Sequence, residues 1–174
     1  MKLKIIKLVS IVIAFLLAFP LHFLYDKFPN FITSIIAPVN ESIAEHMKLL
    51  FTSIIITGVI QKIYIKIKKL DYNNVCISNF IAALSSIPIF LIMFLPIYSA
   101  IGENFIVTII IMFIAIAIAQ IISYLIMKKD DLKLENTTIF FVLVVYIVFG
   151  ILTYFTPQTN LFINPKTLTY GIKR

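Results

Sequence analysis

Five stretches of this chain, about 5–25, 46–66, 77–100, 104–127 and 137–156, are dominated by apolar side chains over twenty residues or more. A helix needs about 20 mostly apolar residues to cross roughly 30 Å of hydrocarbon. Inside hydrocarbon every backbone polar group must be satisfied by the chain itself, which only helices and closed barrels achieve. The expected fold is therefore all-α, a polytopic membrane helix bundle of about five transmembrane helices forming a single domain over residues 1–174. Composition points the same way: 61% of residues are hydrophobic, 13% are charged and the mean hydropathy is +1.05. A soluble domain carries about 25% charged residues. Too few polar side chains exist here to cover a soluble globule, and so apolar a chain would not stay disordered and solvated.

Individual runs carry their own detail. The first follows Lys2, Lys4 and Lys7 and so imitates a secretion signal. Its apolar stretch from Leu8 to Tyr25 is eighteen residues long, and Phe19-Pro20-Leu21-His22 offers no small-residue cleavage site, which predicts an uncleaved span. Pro88 and Pro96 in the third run predict a bent or broken helix. The fourth run alternates Ile and Ala from Ile114 to Ala119, a period of two that would suit a strand in water. Within a long uncharged run the better reading is a helix, with Ala115 and Ala119 as a small-residue face for close packing and Gln120 beside it to bond across the contact.

The net charge is +7, but the cations flank apolar runs rather than form a basic stripe interleaved with aromatics, so nucleic acid is not the expected partner; the lipid bilayer is. Counting by loops with the N-terminus cytoplasmic puts ten cations inside: Lys2, Lys4, Lys7, Lys62, Lys66, Lys68, Lys69, Lys128, Lys129 and Lys133. Five stay outside: Lys27, Lys48, Lys166, Lys173 and Arg174. That bias fixes the orientation under the positive-inside rule. Residues 28–40, between prolines, are expected to lie in the outer interface, and residues 157–174 form an outer tail that folds back on the same surface. The single cysteine, Cys76, permits no internal disulfide and no cysteine-based zinc cluster.

The unusual polar residues gather on the outer side: His22, Asp26, Asn40, Glu41, Ser42, Glu45, His46, Lys48, Glu103 and Asn104. The second run explains why some of them are not simply in water. Leu49 to Gln61 gives only thirteen uncharged residues, about 20 Å of helix and roughly 10 Å short of the hydrocarbon thickness. Lys62 and Lys66 can snorkel at the inner end, while Glu45, His46 and Lys48 are drawn toward the membrane, where ionisable groups face protein or water rather than lipid. Helical spacing pairs His22 with Asp26, strings Glu41, Glu45 and Lys48 along one stripe, and sets Ser42 with His46 on another. Pro38 and Asn40 read as the start and N-cap of the helix, with Glu41 favourably placed against its dipole.

The segments His22-Phe23-Leu24-Tyr25-Asp26 and Pro38-Val39-Asn40-Glu41-Ser42-Ile43-Ala44-Glu45-His46-Met47-Lys48, with Asn164-Pro165 and Thr169-Tyr170-Gly171-Ile172 late in the chain, resemble a family of uncharacterised small integral membrane proteins of Gram-positive Firmicutes. The resemblance covers nearly the whole chain, departing where Ala44 stands in place of a usual Trp. It implies a bacterial cell membrane location and singles out His22, Asp26, Glu41, Glu45 and His46, with Asn164 and Tyr170 brought near them by a folded-back tail. It carries no activity.

Two imidazoles and several carboxylates are the donor types that hold a divalent metal such as zinc, and His22, Asp26, Glu41, Glu45 and His46 are the metal-ligand candidates. The wider set, adding Asn40, Ser42, Lys48, Asn164 and Tyr170, suits a pocket for a small ligand or ion. The leading expectation is a non-catalytic membrane protein binding such a ligand, in the manner of a transport component. The alternatives are a metal-dependent membrane hydrolase acting at the outer leaflet and an accessory or structural subunit working with membrane partners or further copies of itself. No HExxH, GxSxG, CxxC or phosphate-loop pattern names a reaction. Orientation is directly testable: after replacement of Cys76, a cysteine placed in the tail is expected to react with a membrane-impermeant maleimide added outside intact cells. Labelling only after permeabilisation reverses the topology.

Overall fold

The apolar runs fold as helices, and the Pro-, Asn- and Lys-containing segments between them end each one. A computed structural model describes residues 2–102 and 104–172; Met1, and Glu103, Lys173 and Arg174 among the residues named above, lie outside the described residues. Helix α1 spans Lys2–His22, and after one residue the short α2 covers Leu24–Lys27. The short α3 (Phe31–Ile36) precedes four long helices, α4 (Ile43–Ile67), α5 (Val75–Ile101), α6 (Phe105–Met127) and α7 (Glu135–Tyr154). Five helical segments are long and apolar enough to cross a membrane, the first running through α1 and α2. Among the described residues there is no strand, only an isolated antiparallel bridge between Ile163 and Tyr170.

Local chemistry accounts for the boundaries. Residues 28–40 contain α3, held by a reciprocal capping box between Asn30 and Thr33. Helix α4 starts at Ile43 because the Ser42 hydroxyl accepts the Glu45 N–H at 3.3 Å. Asn40, expected as the cap, instead accepts the Ser42 N–H at 2.8 Å and shapes the turn before the helix. Glu41 therefore stands outside α4, and the expected stripe of Glu41, Glu45 and Lys48 loses its first member. Helix α5 runs unbroken through Pro88 and Pro96; each proline removes one backbone donor, a loss that a membrane helix tolerates when its neighbours take up the freed groups.

Helix α4 is the enclosed one: more than half of its apolar window is buried, against a third or less in the other four. It packs on α1 and α5, α6 closes against the same two helices, and α7 leans on α3 and α5. Fully buried Phe51 meets Phe80, Tyr146 and Phe149 edge-on. Ala14, Ala82, Ala83, Ala115 and Ala119 are completely buried, letting backbones approach where larger side chains would hold them apart. Outward faces carry Phe105, Phe140, Leu143 and Ile147 in the open, an apolar surface that suits lipid and is unusual for a monomer in water.

Two polar networks lie inside this apolar frame. The first takes in Lys7, which was counted among the cations flanking the first apolar run. Because α1 already begins at Lys2, Lys7 lies within the helix and is 4% exposed. Its ammonium reaches Gln61 Oε1 at 3.0 Å, Asn79 Oδ1 and Gln120 Oε1 at 3.3 Å, and Ser123 Oγ at 2.5 Å. Asn79 fits because Gly58 faces it: a Cβ at position 58 would come within 2.7 Å of the Asn79 Cβ.

The second network holds Lys48, one of the residues that the short second run was expected to draw inward. Lys48 is 1% exposed. Its ammonium donates to Glu45 Oε2 at 2.6 Å, the Ser34 carbonyl at 2.8 Å and Thr153 Oγ1 at 2.5 Å. Glu45 also accepts the Val39 N–H at 2.9 Å. One ion pair thus joins α3, α4, α7 and the turn before α4.

Gly58→Ala is expected to destabilise the protein by about 1–3 kcal/mol through overpacking against Asn79, read as a lower thermal midpoint in detergent. Lys48→Met strands a buried carboxylate and is expected to cost about 3–5 kcal/mol. Adding Glu45→Gln should restore much of that loss in a double-mutant cycle.

Candidate functional site

Three side chains from separate parts of the chain meet at one end of the bundle. His22 comes from the last turn of α1, His46 from the first turn of α4 and Glu41 from the turn between α3 and α4. The two Nε2 atoms lie 3.1 Å apart. Glu41 Oε2 is 3.5 Å from His22 Nε2 and 3.6 Å from His46 Nε2. All three residues are partly buried and offer donor atoms within 4.8 Å of one another.

The orientation of these groups is set by their other contacts. His46 Nδ1 lies 2.9 Å from the Ser42 carbonyl, which can only accept, so Nδ1 carries the proton and the Nε2 lone pair of the neutral ring points into the cluster. His22 Nδ1 has no hydrogen-bond partner among the described residues. Burial pushes the Glu41 carboxyl up, but a 3.0 Å bond from the Lys166 ammonium and the nearby imidazoles outweigh it and hold Glu41 below the ordinary glutamate range. Glu41 is thus a carboxylate.

Two cavities of unlike lining border the cluster, beside a smaller third of about 70 Å³ that touches Glu41 and His46. One, of about 190 Å³, is polar and is lined by His22, Asp26, Asn40, Glu41, Asn164 and Thr169 among others. The other, of about 310 Å³, is a largely apolar groove between α1 and α6 that meets the cluster at His22, Glu41, His46 and Lys166. The tail forms the far wall of the polar cavity. Ala44 N–H donates to the Leu161 carbonyl at 2.8 Å, and Asn40 Nδ2 donates to the Gly171 carbonyl at 2.9 Å. Asn164 Oδ1 accepts the Lys166 N–H, and the Asn164 carbonyl accepts the Leu168 N–H, which folds the loop tightly. Gly171 sits at φ +65°, and a Cβ there would fall 2.6 Å from Thr156 Oγ1, so both conformation and space call for glycine.

The sequence-predicted residues therefore divide. His22, Glu41 and His46 come together; Asp26, Asn40 and Asn164 line the adjoining polar cavity. Ser42 caps α4 and orients His46 through its carbonyl. Of the five metal-ligand candidates, Asp26 and Glu45 stand outside the converging trio, and Glu45 is committed with Lys48 to the network at α3 and α7. Tyr170 pairs through its backbone with Ile163 and is more than a third exposed. Sequence reading had Lys166 only as one of the outer cations, missed Thr167, and named Thr169 only within the late segment without making it a site candidate; Asn164-Pro165 and the late glycine were the available signs of a folded loop.

No curated protein and no solved structure matches this chain. A family model described as "Family of unknown function (DUF6512)" matches residues 1–172, so nearly the whole chain is covered and the protein belongs to that family.

Proposed function

We propose that this is a multi-pass membrane protein that binds a divalent metal ion, zinc foremost, at His22, Glu41 and His46, on the extracytoplasmic side of a bacterial cell membrane. The supporting observation is the size of the donor triangle, with edges of 3.1, 3.5 and 3.6 Å. Bonds of 2.0–2.1 Å at tetrahedral angles set ligand atoms about 3.3 Å apart, so the three donors already stand at the spacing one ion requires. The Ser42 carbonyl further favours ligation by fixing the His46 tautomer.

Two histidines and a glutamate with a fourth position open are the donor set of hydrolytic zinc sites. The polar cavity beside the trio gives room for the water that such an ion would activate. Asp26 and Asn40 line that cavity and are the groups placed to bind or orient a polar substrate. Ion binding is the primary reading, and metal-assisted hydrolysis is the reaction class it fits.

Metal analysis of the detergent-purified protein after incubation with zinc is expected to give about one ion per chain, and close to none in His22→Ala/His46→Ala with an unchanged gel-filtration profile. Protons compete with zinc for the imidazoles, so occupancy should fall steeply on acidification. A wild-type protein that takes up no zinc, cobalt or manganese overturns the proposal.

A further inference from the structure

We infer that the groove beside the trio holds an anionic phospholipid, its acyl chain between α1 and α6 and its phosphate at Lys166. The inference goes beyond the metal reading and stands on the groove and on Lys166, with or without a bound ion. The groove is bounded by Phe19 and Ala18 of α1, Leu49 of α4, and Ile109 and Met112 of α6. Ala18 is buried with only a methyl group to contribute, which leaves the space open. Phe105 and Phe19 at the margin are exposed on the bundle's apolar outer face. The groove therefore opens sideways, toward the region where lipid chains lie.

Its polar end is built differently. Lys166 is largely exposed and bonds Glu41 with one of its three N–H donors. His22 and Glu41 border both the apolar groove and the polar cavity, so the trio stands where a molecule's oily and hydrophilic parts would join. That layout fits an amphiphile rather than a wholly soluble ligand. Charge selects among amphiphiles: the exposed Lys166 ammonium bonds Glu41 with one N–H and has two more to offer a phosphate oxygen. An anionic headgroup complements that cation, whereas a choline headgroup would present its own cation to Lys166.

The test is native mass spectrometry of the full chain in detergent, with phosphatidylglycerol and phosphatidylcholine added in equal amounts. Wild type is expected to retain one phosphatidylglycerol in preference to phosphatidylcholine by about fivefold, the value of one lysine near an anionic headgroup. Lys166→Gln should bring the two lipids to parity. Thr108→Phe, at a partly exposed position on the groove wall, should abolish lipid retention while zinc uptake persists. Equal retention of both lipids by wild type, displacement of the lipid by glycerol phosphate alone, or unchanged retention in Thr108→Phe overturns the inference. Selective lipid retention with no zinc uptake overturns the metal reading instead and leaves the groove's occupant in place.

Discussion

A polar group carried into hydrocarbon has no water to turn to; in α4, Ser53 and Thr57 bond carbonyls of their own helix, and the longer polar side chains are answered by neighbouring helices. Toward one end, Glu45 and Lys48 pair with each other and with Ser34 and Thr153, while Thr52 reaches the Ile36 carbonyl and Tyr146. Toward the other, Gln61 meets Lys7 and Asn79. The first group faces α3 and α7; the second faces α1 and α5. Helix α4 is consequently fixed in rotation at both ends, by partners on different sides. Apolar packing alone discriminates weakly between helix rotations in lipid, because the tails are as apolar as the side chains; directional polar bonds supply what packing lacks.

That rotation is what brings the site together. His46 lies on α4 only two residues from Lys48, so the bonds that hold Lys48 also determine where His46 points. The packing of α1 on α4 does the rest, ending α1 with His22 beside His46. The ion pair and the trio have different tasks despite their closeness in sequence. Glu45 spends its carboxylate on Lys48 and the Val39 N–H; Glu41, one residue before the cap, is left to face the histidines.

The spans were legible because apolar length is a direct physical requirement of the bilayer and needs no tertiary information. Helix starts were less so. Asn40 and Ser42 are both good caps, and only the chain's approach from Pro38 decides between them; that choice moves Glu41 off the helix and changes which acid joins the histidines. Lys7 was misjudged for a related reason. Counting charges by loops treats any lysine near the end of an apolar run as solvated, whereas Gln61, Asn79 and Gln120, three amides inside apolar runs, were the sign that a buried donor had to be nearby. The role of Lys166 could not be read at all, because its partner Glu41 is more than a hundred positions away. The family description supplies no activity, so chemistry here has to be argued from geometry.

The distribution of the site along the chain has a temporal side. His22, Glu41 and His46 all fall within the first 46 positions, while the wall formed by Asn164, Thr167, Thr169 and Gly171 belongs to a stretch made only after α7. The donors can meet once α1 and α4 are side by side, before α7 has been made. The tail turns back over them only after that helix is in place. Biosynthesis thus separates the meeting of the trio from the building of its wall: the three side chains are made early, and the polar cavity beside them is completed only when the tail follows α7.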